Sequence, residues 1–318
     1  MENNRFLITG STGLIGSALV RHLLSKYHNA HLVLPVRNRE KAEMMFKDCP
    51  NIDIYECDLL HTNFDFAKNI DYIIHCAAPT SSRYFVEHPI ETYEAVYLPS
   101  VHLLQYASRN IIKGFVYLSS LEVYGDQTDN GVPLVENALG NIDLTSPRSC
   151  YPLAKRAVEH LCVLYALQHN VPVSIARLTQ TTGAGGSIED NRVINAFCRS
   201  AAKGEDIILH TTGESARPYC HIDDAISAIL LLLQKGKRGE AYNVANETTY
   251  ISAHDLAFFI KEHLAPSIEV KTVLKNENPY APPSQLRLST TKLQSLGWHP
   301  RCDLEYICRD VYQHYKLE

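Results

Sequence analysis

Short apolar runs alternate with helix-spaced apolar stripes along the first half of the chain. Arg5-Phe-Leu-Ile-Thr9 is a compact apolar run ending in a glycine-rich turn, which predicts a strand buried on both faces. Leu14–Tyr27 follows with apolar residues at 14, 15, 18, 19, 20, 23 and 24, the spacing of a helix. Further strands are predicted at His31–Val36, Ile52–Glu56, Tyr72–Cys76, Phe115–Ser119, Val173–Leu178 and Ala241–Val244, with helical patterns between most of them. Such alternation builds βαβ units with right-handed crossovers, so the predicted fold is α/β, a doubly wound parallel sheet.

The second half is more mixed. Helices are predicted at Asn191–Lys203, Asp223–Gln234, Ala253–His263 and about Leu304–Tyr315, a short strand at Ile207–His210, and a Pro/Asn-rich loop at Asn276–Ser284. No clean linker separates two blocks. The expected division is a dinucleotide-binding domain from 1–178 plus about 220–248, and a smaller mixed α/β substrate domain from about 179–219 plus 249–318.

Composition narrows the partners. The 318 residues are 45% hydrophobic and 20% charged, with a net charge of −5, which excludes a disordered or fibrous protein. No basic run offers a nucleic-acid groove, so no nucleic-acid partner is expected. The longest apolar run, Ala225–Leu233, is far short of the ~20 residues that span a bilayer, and no membrane partner is expected. Nine cysteines without a C-x-x-C, behind an N-terminus that lacks a signal-peptide core, read as reduced thiols of a cytoplasmic protein. No metal site is expected, since no H-E-x-x-H occurs.

Two segments carry chemistry. Thr9-Gly-Ser-Thr-Gly-Leu-Ile-Gly16 joins the first strand to the first helix. Gly10 permits the turn, Gly13 lets a pyrophosphate approach, and Gly16 lets the helix pack close, so Gly10, Thr12, Gly13, Leu14, Ile15 and Gly16 are candidate cofactor contacts of a Rossmann-type site. The second strand ends Leu34-Pro-Val-Arg37-Asn38-Arg39 without the acid that binds the ribose of NAD. Arg37, with Asn38, suits a 2′-phosphate, so NADP is favoured over NAD unless Arg37 is only a solvated cation. Asp58 and Leu59 are candidates for the adenine; a strand-end cap is the other role open to Asp58.

Tyr151-Pro-Leu-Ala-Lys155 opens a helix with the phenol and the ammonium on one face. A phenol must drop about three pKa units, roughly 4 kcal/mol, to act as a base at neutral pH. One cation at ~4 Å at an effective dielectric of ~20 supplies that much. Tyr151 is then the base that takes a hydroxyl proton while hydride leaves for the cofactor. Leu118-Ser-Ser-Leu-Glu-Val-Tyr-Gly125 ends a strand on its carboxyl side, where a Ser hydroxyl polarises the reacting oxygen. Ser119 is expected to face away from Ser120.

These motifs in order resemble the extended short-chain dehydrogenase/reductases, specifically the NAD(P)-dependent nucleotide-sugar epimerase/dehydratase family, over nearly the whole chain. Asp71-Tyr-Ile-Ile-His-Cys-Ala-Ala78, Arg217-Pro-Tyr-Cys-His-Ile-Asp-Asp224, Tyr242-Asn-Val-Ala-Asn246 and Leu296-Gly-Trp298 resemble further family segments. The resemblance implies Ser120, Tyr151 and Lys155 as catalytic residues. It also implies cofactor contacts from Cys76, Ala77, Ala78, Tyr151, Lys155 and Leu178, and substrate contacts from Thr80, Ser120, Gln180 and Arg217. Glu122 is a candidate catalytic carboxylate, or else half of an ion pair with no chemical role. Leu121 stands where the dehydratases carry an acid, which disfavours 4,6-dehydration. Gln180 and Val96 replace family asparagines. The resemblance implies a transient oxidation of a nucleotide-activated sugar by an epimerase or a decarboxylase; a net NADPH-dependent ketoreductase is the alternative, and a non-catalytic NADP-binding regulator ranks third. A homodimer is expected, because the Tyr151 helix is apolar on more than one face.

Overall fold

The computed structural model describes residues 1–127, 131–274 and 284–317. It divides into two compact units: Met1–Gly125 with Ile142–Arg177 and Ile226–Tyr242, and Asp126–Asn141 with Leu178–Ala225 and Asn243–Glu318. The sequence-based division kept residues 126–141 with the first unit. They cluster with the second, where Asn243 donates its N–H to Glu136 Oε1 at 2.9 Å and its side-chain amide to Leu134 O at 3.0 Å.

The first unit is built on a seven-stranded parallel sheet. Its strands are β1 (Arg5–Thr9), β2 (His31–Val36), β3 (Ile52–Glu56), β4 (Tyr72–His75), β5 (Gly114–Ser120), β6 (Val173–Leu178) and β11 (Ala241–Val244). Their order is β11-β6-β5-β4-β1-β2-β3, and the chain reverses direction of travel between β1 and β4. Phe6, Leu7, Ile8, Leu32, Val33 and Leu34 are wholly buried, as continuous apolar runs in such a sheet require. Helices α1 (Leu14–Lys26), α2 (Arg39–Met45), α3 (Ser82–Glu87), α4 (Pro89–Arg109) and α5 (Cys150–His169) follow the strands. Helix α5 lies along α4, turning Ala154, Val158, Cys162 and Ala166 inward at intervals of four.

The second unit carries three two-stranded pairs: β7 (Gln180–Thr182) parallel to β10 (Tyr219–His221), β8 (Ile207–Leu209) parallel to β13 (Val270–Thr272), and β9 (Ala216–Arg217) antiparallel to β12 (Ile251–Ser252). Helices α6 (Val193–Ala202), α8 (Ala253–Leu264) and α10 (Leu304–Leu317) share its core through Phe197, Leu256, Ile260, Ile307 and Val311. Helix α7 (Ile222–Lys235) follows β10, and a single turn, α9, spans Thr291–Gln294. Helix α6 starts two residues later than the periodicity suggests. Arg192 is extended (φ −61°, ψ 144°) and folds its guanidinium onto Asp190. The segments ending at Asp224 and Trp298 meet here: Trp298 Nε1 donates to Asp224 O at 3.2 Å, and the Asp224 carboxylate accepts the N–H groups of Arg301 and Cys302. Residues 276–283 of the predicted Pro/Asn-rich loop lie outside the described residues. Among those described, no helix is long and apolar enough to cross a membrane.

Candidate active site

The glycine turn leaves β1 with Gly10 at φ +67°, where a Cβ would stand 2.8 Å from Ala77 N and strain the backbone as well. A Cβ on Gly16 would collide with Gly10 O. Helix α1 starts at Leu14 with no side-chain cap and no acid in its first turn, so its N–H groups are open to an anion. Ser11 is fully buried and its hydroxyl has no hydrogen-bond partner. Thr12, Leu14 and Ile15 are half-buried beside it. The segment after β4, Cys76 to Ala78, lies against this turn, and Ala77 N–H donates to Thr9 Oγ1 at 3.2 Å. A dinucleotide's pyrophosphate fits such a turn.

Beneath the turn lies a buried relay that sequence reasoning missed. His75 Nδ1 is 2.6 Å from Thr9 Oγ1, and its Nε2 is 3.0 Å from Ser100 Oγ, which donates to Val96 O at 2.7 Å. Since that hydroxyl proton is committed, Ser100 accepts from His75 Nε2–H and Thr9 donates to Nδ1. Burial, helped by Lys155, pushes His75 down to about 3, so the ring is neutral. The only local signal was a polar residue inside an apolar strand.

At the end of β2, Asn38 caps α2 by accepting from Lys41 N–H at 2.8 Å. Arg37 is exposed and, among the described residues, makes no ion pair. Asp58 accepts from Leu60 N–H at 3.0 Å, and His102 Nδ1 lies 3.3 Å from Leu59 O. Leu178 is buried at the end of β6.

Ser120 ends β5, and its hydroxyl accepts from Glu122 N–H at 3.2 Å. Ser119 is turned elsewhere and donates to Glu159 Oε1 at 2.6 Å. Glu159 also holds Arg177 through contacts of 2.7 and 3.0 Å, and Arg177 donates to the Tyr124 hydroxyl at 3.1 Å. This buried network pins β5, α5 and β6 together.

Tyr151, in the first turn of α5, stacks on Phe85 of α3 with ring centroids 4.5 Å apart and 9° between planes. Its phenol meets the Ser120 hydroxyl. One turn on, Lys155 is buried, donates to Leu118 O at 2.7 Å, and lies 5.6 Å from the Tyr151 ring centroid. Burial lowers Lys155 to about 8, opposed by Glu159. The phenol differs from the sequence-based expectation. Burial raises it, with help from Glu122, while the Ser120 hydrogen bond and Arg148 lower it. Spacing along a helix brings the two groups together but says nothing of how dry their surroundings are.

Glu122 is paired with Arg148, whose Nη2 lies 3.0 and 2.9 Å from the two carboxylate oxygens. The Arg148 guanidinium also sits 4.8 Å from the Phe85 ring. Thr80 is exposed just before α3. In the second unit, Gln180 opens β7 and is half-buried, and Arg217 donates to Ser284 Oγ at 2.9 Å. The first unit thus gathers Ser120, Glu122, Tyr151 and Lys155, whereas Gln180 and Arg217 belong to the second.

A family model, that of the NAD dependent epimerase/dehydratase family, matches residues 6–245. The chain belongs to this family. The family lies within the extended short-chain dehydrogenase/reductases, and its nucleotide-sugar epimerases, decarboxylases and dehydratases are enzymes. The chain is 30% identical over 305 residues to UDP-glucuronic acid decarboxylase 3 of Arabidopsis thaliana, covering 95% of this chain and 86% of that protein. UDP-glucose 4-epimerase from Thermotoga maritima, solved with UDP-glucose, superposes with a TM-score of 0.85 at 22% identity, covering 98% and 99% of the two chains. UDP-glucuronic acid 4-epimerase from Bacillus cereus, solved with UDP-glucuronic acid and NAD, superposes with a TM-score of 0.84 at 21% identity and the same coverage. These likenesses cover the Rossmann sheet of the first unit and the smaller sheets of the second, and show the fold.

Proposed function

We propose that the chain oxidises one hydroxyl of a nucleotide-activated sugar to a ketone and reduces it again before product leaves, as an epimerase or decarboxylase does. The observation that carries this reading is the convergence of Ser120, Tyr151 and Lys155 at the carboxyl end of β5, beside an uncapped glycine turn. The Gly10–Gly16 turn would hold a nicotinamide dinucleotide, which would supply reversible hydride-acceptor chemistry. Ser120 holds the substrate oxygen. Tyr151 takes the hydroxyl proton and later gives it back. Lys155, fixed by Leu118 O, offsets the charge that develops on the phenolate. The site's buried surroundings hold the phenol high, so a cation must help wherever it acts as base.

In this reading the first unit binds the dinucleotide, and the second contributes Gln180 and Arg217 as substrate contacts, Arg217 to the nucleotide's diphosphate. The relatives named UDP-glucuronic acid decarboxylase favour a uronate among the sugars: a ketone at C4 is β to the C6 carboxylate, and such an acid loses carbon dioxide readily. Helices α4 and α5 serve as a homodimer face, since Ile90, Tyr93 and Leu164 remain 69%, 37% and 42% exposed there.

The test is incubation with UDP-glucuronic acid and UDP-glucose in the presence of NAD or NADP, with products read by mass and NMR. Tyr151→Phe abolishes turnover and leaves cofactor affinity intact. Unchanged turnover in that variant refutes the assigned base. A second reading, a net NADPH-dependent ketoreductase, is favoured by Arg37, an exposed cation without an ion pair among the described residues, where a ribose-binding acid otherwise stands. Stoichiometric loss of reduced cofactor absorbance selects it over the first.

A further inference from the structure

Lys155 poses a question of charge. It is 3% exposed and spends one proton on Leu118 O. Among the described residues no carboxylate lies within ion-pair distance of its ammonium. Glu159, one turn along α5, has both oxygens engaged by Arg177 and Ser119. From β4 it is faced by His75, which is neutral, and from the next residue by Cys76, whose thiol burial pushes up to about 12. From α5 it is faced by Tyr151 and by Cys162, a thiol that burial also raises. The remaining neighbour is Tyr117 of β5, whose ring centroid is 4.7 Å from Nζ and whose side chain is 1% exposed.

We infer that Tyr117 is a positioning residue whose ring face seats the Lys155 ammonium and keeps it charged beside Tyr151. Alternation along β5 puts Tyr117 on the same face as Ser119, which reaches into α5, and opposite Ser120. Water is excluded from this contact, so a cation over an aromatic face acts at the strong end of its range. The ring thus supplies in part what an absent carboxylate would. The inference rests on the proposed role of Lys155, yet it concerns that residue's charge and not the substrate.

The experiment replaces Tyr117 by Phe, then by mono-, di- and trifluorinated phenylalanine, which keep the ring's shape while draining its negative face. Two readouts are taken: the pKa of Lys155 from NMR of lysines carrying 13C at Cε, assigned with Lys155→Arg, and the upper limb of the pH profile of kcat. Tyr117→Phe leaves both in place. Each added fluorine lowers the Lys155 pKa, by about 1.5 units over the series, and moves the limb to lower pH by the same amount. A Lys155 pKa that stays fixed or rises across the series overturns the inference. Should no nucleotide sugar be turned over, the NMR titration still decides it, separately from the proposed function.

Discussion

Consider Glu159→Met. The substitution keeps the length of the side chain and removes the partner of a guanidinium whose side chain is only 5% exposed. Arg177 loses contacts of 2.7, 3.0 and 3.2 Å and keeps the Tyr124 hydroxyl at 3.1 Å, with its guanidinium 5.0 Å from that ring. Stranding one member of a buried ion pair costs about 3–5 kcal/mol, because its desolvation is no longer offset. Ser119 loses its acceptor as well, worth about 1–3 kcal/mol. Equilibrium urea unfolding measures the loss, about 4–8 kcal/mol in all; at a slope of about 3 kcal/mol per M the midpoint falls by roughly 1.3–2.7 M. Glu159→Met/Arg177→Met removes both charges and is milder than the sum of the single variants, giving a coupling energy above about 2 kcal/mol. Turnover falls with Glu159→Met beyond the change in folded fraction, since Ser119 anchors the strand end that presents Ser120. The reasoning fails if the single substitution costs under about 1 kcal/mol, or if the two add.

Three further outcomes are expected. Arg37→Ala raises the KM for NADPH about tenfold, the effect of one charge-assisted hydrogen bond, and leaves that for NADH unchanged; equal effects on both exclude a 2′-phosphate contact. Leu164→Glu puts a charge on the exposed face of α5 and yields a monomer in analytical ultracentrifugation where the unsubstituted chain is a dimer; equal sedimentation of the two moves the interface elsewhere. Stability falls above pH 9, because burial raises the thiols of Cys76, Cys162, Cys198 and Cys220 above the ordinary 9.0. The unfolded chain releases these protons first, so each costs about 1.4 kcal/mol per pH unit until its folded pKa is passed. Lys155 acts oppositely between about 8 and 10.5, and four thiols outweigh one amine. A thermal midpoint that is flat or rising from pH 9 to 10.5 contradicts this.

What could be read from the sequence was local. The glycine turn is legible because three glycines within seven residues sit between a strand and a helix, and Gly10 and Gly16 are held by contacts with their own neighbourhood. Tyr151 and Lys155 are legible because one helical turn joins them. The α3 helix, six residues long, is too short to show a period, and the two-stranded pairs of the second unit are too short to alternate. Long-range pairings leave no such trace: Glu159 meets Ser119 across 40 residues, and Arg148 meets Glu122 across 26.

The phenol's direction of shift shows why this matters for chemistry. Helical spacing supplied the cation but not the medium around it, and that medium is made by Phe85, Tyr117 and the packing of α4 on α5, all distant in sequence. A motif therefore names the reacting groups, while the residues that set their charge state are found only in the folded chain. In this chain those are Arg148 and Glu122 for Tyr151, and Tyr117 and Glu159 for Lys155. Variation at these four positions is accordingly where the pH dependence of activity should change while the Ser120/Tyr151/Lys155 set stays the same.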